Sequence, residues 1–430
     1  MISVYYEYQL QDHAKKGRIL RIFLAFHDSI KKSQCKEKQA KMQRKDILKG
    51  FRKKTLAMLL VTGLAVSAVG CGSEKTTETG TGTEETTTSA DTEAPSTEQT
   101  TTAWSAEPYT GKQATEQSTE DVDKEAIKIP ATFASAEDGK KILSGHDEYF
   151  GKMNARDVRA RGKSPDVTLD QLKEKTIANV GDFTEKEKTL LQNSLDRLSL
   201  KMYAYGFTWP RNLTVNFVRS GMDEEVRTSG YTLGCDFIIS AVTLEYIAAA
   251  VEVEEKETAE IRQYIDTIIA EQLFHILSRN YPEFKKAMYD ILGFTITESE
   301  PVFTDEVKQK LYLNPNIDGY TAYAEFTVDG KKQKAVIVAY SDAEEPEKAE
   351  YNELVKSGIV LLDSPDKIIA NADVSDFIDV IGRNAGRSIS IEDCLAMNFS
   401  FALVYGTMQN YNSPEIIHGI LNALAELKTF

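Results

Sequence analysis

Apolar positions along the chain follow two periods, which divide it into many helices and a few strands. Leu191, Leu195, Leu198, Met202 and Tyr205 repeat at helical spacing. Thr184 through Glu187 reads as a capping box ahead of them, and Gly206 as their stop. Leu213–Val218 alternates like a half-buried strand, and Tyr231–Ile239 contains a second strand-like run. A long helical stretch is predicted from about Glu255 to Arg279, and Pro282 suits the first turn of another helix running to Leu292. Tyr323–Val328 and Lys334–Tyr340 flank Asp329-Gly330, a dipeptide that favours a tight hairpin turn. Further helices are predicted at about Ile391–Tyr405 and Pro414–Leu427. Helix dominates and the strands are few, so the expectation is an α+β domain over 121–430 with a small antiparallel sheet.

Upstream of residue 121 these periods give way to other patterns. Residues 71–120 contain 16 Thr and no Val, Ile, Leu, Met or Phe. Such a segment has nothing to bury against its conformational entropy, so it is expected to be a disordered tether with a reach of roughly 40 Å. Before it, residues 55–69 form an uncharged, mostly apolar run behind Arg52, Lys53 and Lys54. As a helix this run covers about 22 Å, short of the ~30 Å hydrocarbon core, which points to an export signal instead of a membrane span. Its end, Ala68-Val69-Gly70-Cys71, resembles a bacterial lipoprotein signal, although Ala68 stands where that motif usually has Leu. The resemblance implies cleavage before Cys71, a lipid on Cys71, and anchoring to the outer face of the cell membrane. Met42 begins a signal of normal length, so 42–70 is read as the signal peptide. Residues 1–41 stay open between an upstream extension that is not translated and a cytoplasmic tail.

Charge and cysteine usage narrow the function classes. The net charge of −15 is unevenly placed. Residues 1–70 hold 15 basic and 5 acidic side chains, which leaves 36 basic and 61 acidic in 71–430. A body this acidic argues against nucleic acid as a partner, since phosphates require Lys and Arg on the folded part. Four cysteines exclude a disulfide-stapled mini-domain. Of five histidines three lie beyond residue 70, and His146 and His418 lack neighbours at ligand spacing. The acidic run from Asp342 to Glu347 reads as a solvated loop.

The window Ile268–Asn280, continuing through Tyr289–Phe294, resembles the active-site helix of a group of secreted zincin metallopeptidases that reads H-E-L-F-H-x-L-S-R-N. The similarity extends to Gly230–Gly234 as the edge strand beside the site, to the Asn314-Pro315 loop, and to Glu392–Phe399, which is similar to a later helix reading E-E-x-L-A-D-N-F. The resemblance implies a zincin-like fold and an ancestral zinc site. In H-E-x-x-H the two imidazoles share one helix face and grip the metal, while the Glu takes a proton from bound water. Here Glu271 stands for the first His, Gln272 for the general-base Glu, and His275 for the second His. Asp393 matches the later carboxylate ligand, and Met397 replaces the Asp that would orient the first imidazole.

Gln272 decides what this pattern can do. An amide has no proton-accepting form near neutral pH, and loss of a general base alone costs a factor of about 10²–10⁴. No residue is therefore assigned a catalytic role. The expected function is that of a lipid-anchored, catalytically degenerate metallopeptidase-like protein that binds or scaffolds a peptide or protein in the old cleft. One alternative is a divalent-metal hydrolase with Glu271, His275 and Asp393 as ligands; another is a purely structural envelope protein. His275 is also open to a simpler reading, a metal-free pair with Glu271 four residues before it. Cys235 and Cys394 are expected as two buried thiols, with a disulfide between them the other option.

Overall fold

Side-chain caps fix where the helices begin, and apolar faces fix where they pack. The computed structural model describes residues 123–427 apart from 223, 226, 227, 387 and 388. The chain divides into two units, Met1–Ser105 and Ala106–Phe430, and every described residue belongs to the second. Residues 1–41, the expected signal peptide at 42–70, Cys71 and the expected tether over 71–120 lie outside the described residues.

The longer helices are α1 (Ala136–Gly145), α2 (Ala155–Gly162), α3 (Leu169–Ala178), α4 (Glu185–Ala204), α5 (Ala241–Glu254), α6 (Ala259–Asn280), α7 (Pro282–Ile291), α8 (Ile391–Tyr405) and α9 (Pro414–Glu426). The capping box of α4 is formed on both sides: Glu187 N donates to Thr184 Oγ1, and Thr184 N donates to Glu187 Oε2. Sequence periodicity placed the start of α6 near Glu255. Instead Glu255 adopts φ +57° and closes α5, and α6, capped by Thr258, begins at Ala259, four residues later than expected. Helix α5 itself was not anticipated.

The strands form two five-stranded sheets, not one small sheet. The first contains β1 (Ala131–Phe133), β2 (Val180–Gly181), β3 (Val215–Ser220), β4 (Gly230–Leu233) and β5 (Asp236–Ser240), in the order β1-β3-β5-β4 with β2 also on β3. It is mixed, because β3 runs parallel to both β1 and β5 while β2–β3 and β4–β5 pair antiparallel. The Tyr231–Ile239 run is a hairpin split at Gly234, whose φ of +62° provides the turn. The second sheet is antiparallel throughout, with β6 (Thr295–Ile296), β7 (Ala322–Val328), β8 (Lys331–Tyr340), β9 (Lys356–Leu361) and β10 (Ser364–Ala370) in sequential order. Its β7–β8 turn is Asp329-Gly330, both residues at positive φ, as the dipeptide predicts. Helix covers 51% of the interpretable residues and strand 18%, which fits a mostly helical α+β domain. No helix among the described residues is long and apolar enough to cross a membrane.

Helix α6 is the spine of the helical layer. Ile265, Ile268, Ile269, Leu273, Phe274, Ile276 and Leu277 are buried on all sides of it, as expected of a central helix. It packs along α8 and against α4, α7 and β4. Phe274, Phe284 and Phe399 meet at centroid distances of 5.4 to 5.7 Å and join α6, α7 and α8 in one aromatic cluster.

Candidate functional site

A buried helix must find a partner for each polar side chain it carries. On α6, Asp266 accepts from Ser194 Oγ at 2.6 Å and is gripped by Arg197, and Thr267 Oγ1 donates to Gln263 O at 2.7 Å. His275 and Ser278 both reach Glu392. Glu271 and Gln272 are the exceptions on this helix. Each has its Oε1 shut off from solvent with no hydrogen-bond partner. These are the two positions where this sequence departs from the H-E-x-x-H pattern that its helix resembles.

The first turn of α8 supplies the facing carboxylates. Ser390 caps that helix, accepting from Asp393 N at 3.0 Å, and its hydroxyl donates to Asp393 Oδ2 at 2.6 Å. Placing Glu392 and Asp393 in the first turn also suits the positive end of the helix dipole. Glu392 Oε1 lies 3.2 Å from His275 Nδ1. Its Oε2 accepts from Ser278 Oγ at 2.9 Å and from the hydroxyl of Tyr289 on α7. Burial, reinforced by the Glu392 charge, holds the Tyr289 hydroxyl well above its ordinary pKa, so it donates over the whole working pH range. Asp393 Oδ1 stands 4.0 Å from His275 Nε2, an ion-pair separation too long for a hydrogen bond. Asn314 Nδ2 completes the set by donating to Asp393 Oδ2 at 2.5 Å.

His275 is thus bracketed by two adjacent carboxylates, one at each ring nitrogen. The carboxylate that bonds it is Glu392, not Glu271 as helical spacing suggested. Glu392, Tyr289, Ser278, Ser390 and Asn314 had no role in the sequence reading, although all but Ser390 fall within the motifs quoted there. The available signal was Ser390 placed three residues before Asp393, an N-cap spacing that fixes where both carboxylates emerge.

Glu271 lies one helical turn before His275, half-buried as a residue but with Oε1 fully enclosed. Burial first, and then the charge of Asp393, push its carboxyl from an ordinary 4.5 up to about 7. Near neutral pH it is therefore close to half neutral. Met397, one turn beyond Asp393, is buried. Cys394 is buried and donates to Ile381 O, whereas Cys235 is half-buried; no disulfide joins the two, so that option is not realised. His146 pairs with Asp236 at 2.7 Å. Within the acidic run Glu347 is buried against Arg159 and not solvated.

The zinc implied by the resemblance does not fit these residues as they stand. Tetrahedral zinc with bonds of about 2.0–2.2 Å sets its ligand atoms roughly 3.4 Å apart. His275 Nε2 and Asp393 Oδ1 are wider than that, and Asp393 Oδ2 is taken by Asn314 and Ser390. Among the described residues no three His, Cys, Asp or Glu side chains are grouped to hold a metal ion. Set against models of protein families, curated proteins and solved structures, the chain matches none.

Proposed function

We propose that the protein is an exported, Cys71-anchored lipoprotein whose zincin-like domain has lost peptide hydrolysis and serves to bind a peptide or protein. The observation that carries this reading is Gln272, an enclosed amide with an unpartnered Oε1 at the position of the general base. An amide cannot deprotonate water, and Glu271 beside it replaces an imidazole ligand with a carboxyl that is half neutral near pH 7. A buried acceptor without a partner is costly unless a donor meets it, which supports a ligand that brings hydrogen-bond donors. One observation favours an enzyme instead: a carboxyl titrating near 7 is matched to general acid–base work. Against it stands the lack of a metal-holding group among the described residues to activate water.

Restoring the family pattern tests the proposal. Glu271→His with Gln272→Glu recreates two imidazoles and a base, and adding Asp393→Glu and Met397→Asp lengthens the third ligand and supports the new imidazole. Zinc binding to the purified protein is expected to rise from wild type to double to quadruple variant, with peptide cleavage appearing last. Chelator-sensitive cleavage by the unmodified protein would overturn the proposal. A restored set that folds normally yet gains no zinc affinity would show that these positions do not converge.

A further inference from the structure

Side chains alternate between the two faces of a strand, and cross-strand partners share a face. In the second sheet this puts Val336, Val338 and Tyr340 of β8 on the same face as Gly358 and Val360 of β9 and Ala370 of β10. A short helix, Asp305–Lys310, covers part of that face, and its Val307 packs with Val336, Val338 and Val360 in one buried cluster. Beside it lies a cleft of about 430 Å³, bordered by this helix and by β10, with Val307, Ile368 and Ala370 among its apolar lining. Its volume is that of a small-molecule site. None of the candidate-site residues on α6 and α8 takes part in it.

Tyr340 also lines this cleft. Its ring lies over Gly358, where an added Cβ would stand 3.0 Å from Tyr340 Cε1 and 2.7 Å from Ile369 O, so the bare glycine makes room for the ring. The backbone of Tyr340 is committed to Lys356 of β9 and to a bridge with Leu311, which leaves the hydroxyl as the polar group it offers to the cleft. Tyr340 is only 6% exposed, yet that hydroxyl has no hydrogen-bond partner among the described residues. Buried tyrosines elsewhere in the domain obey the usual rule: Tyr149, Tyr231 and Tyr289 each donate to a glutamate. Burial first, and then the charges of Asp342 and Asp373, hold the Tyr340 phenol above its ordinary pKa, so it stays protonated at neutral pH.

Five carboxylates and two lysines line the cleft, so its field is negative and concentrates cations. Two of the carboxylates are met locally, Glu306 by Lys310 at 3.1 Å and Asp342 by Lys356 at 3.2 Å. Asp366 and Asp373 have no cationic partner among the described residues. The acids are not grouped to hold a metal ion. The floor is apolar, which suits a cation carried on a hydrocarbon stem. We infer that this cleft binds a primary alkylammonium, its charged end meeting the Tyr340 hydroxyl oxygen in the field of Asp366 and Asp373 and its methylene stem lying along Val307, Ile368 and Ala370. A free polyamine and the side chain of a lysine share this chemistry. The site is separate from the peptide-binding reading of the cleft at His275 and does not depend on it.

The test is calorimetric titration of the full chain at low ionic strength with spermidine, with N-acetyl-lysine methylamide, and with hexanediol as an uncharged stem. Saturable binding of at least one amine is expected, and the tighter of the two identifies the source of the ammonium. Tyr340→Phe breaks no hydrogen bond within the protein, so its thermal melt is expected to match that of the unmodified chain, whereas amine affinity falls roughly tenfold, the size of one hydrogen bond to a charged group. Asp366→Asn with Asp373→Asn keeps the shape of both side chains and is expected to weaken binding by about the same factor, more at low salt than at high. Equal amine affinity in the unmodified chain and both variants would place the binding elsewhere on this acidic protein and overturn the inference. Absence of binding by either amine, or equal binding of hexanediol, would overturn it as well. Should the carboxylate variant fail to fold, Tyr340→Phe decides the matter alone.

Discussion

Glu271→Gln removes a single titration from the enclosed site while keeping the shape of the side chain. In the folded protein this carboxyl is held up to about 7, against an ordinary 4.5 in the unfolded chain. Below pH 4.5 both states are protonated, and the group does not affect stability. As pH rises through the window from 4.5 to 7, the unfolded chain ionises and the folded one does not, so stability falls. Above 7 both are ionised and the loss is constant. At ~1.36 kcal/mol per pH unit the full window is worth about 3 kcal/mol, most of which falls between pH 5 and pH 8. Urea unfolding of wild type and variant at those two pH values measures it directly. The variant is expected to gain roughly 2–3 kcal/mol on the wild type between pH 5 and pH 8. Asp157 and Glu225 are also held up by burial, but they titrate in both proteins and cancel in the comparison. If the variant tracks the wild type across this range, Glu271 is solvated and the argument for an enclosed, ligand-seeking site fails.

Two further outcomes follow from other parts of the chain. Arg161 is fully buried between Asp157 and Glu225 at 2.7 and 2.6 Å, so Arg161→Met, which strands both acids, is expected to cost about 3–5 kcal/mol; an unchanged thermal melt would refute this account of the network. Cys71→Ser is expected to release the protein from the membrane fraction, and unchanged retention and mass would count against the lipid anchor.

Much of the local structure was legible in the sequence. The Thr184 capping box, the Pro282 start, the Asp329-Gly330 hairpin and the bounds of α8 all depend on groups within a few residues of one another. Such short-range physics is written in the order of residues. Gln272, by its chemistry alone, also carries the proposed loss of hydrolysis. What required the tertiary structure was the choice of partners. Glu392 bonds His275 across 117 residues, and nothing in helical spacing could rank it above Glu271, four positions away. Parallel pairing of β1 with β3 gave the first sheet its mixed character, through a contact between segments some eighty residues apart. Asn316, whose Oδ1 accepts from Thr232 N of β4, is a meeting of the same kind. Periodicity states which face of an element is buried; only packing decides which other element buries it, and therefore which carboxylate, amide or guanidinium arrives there.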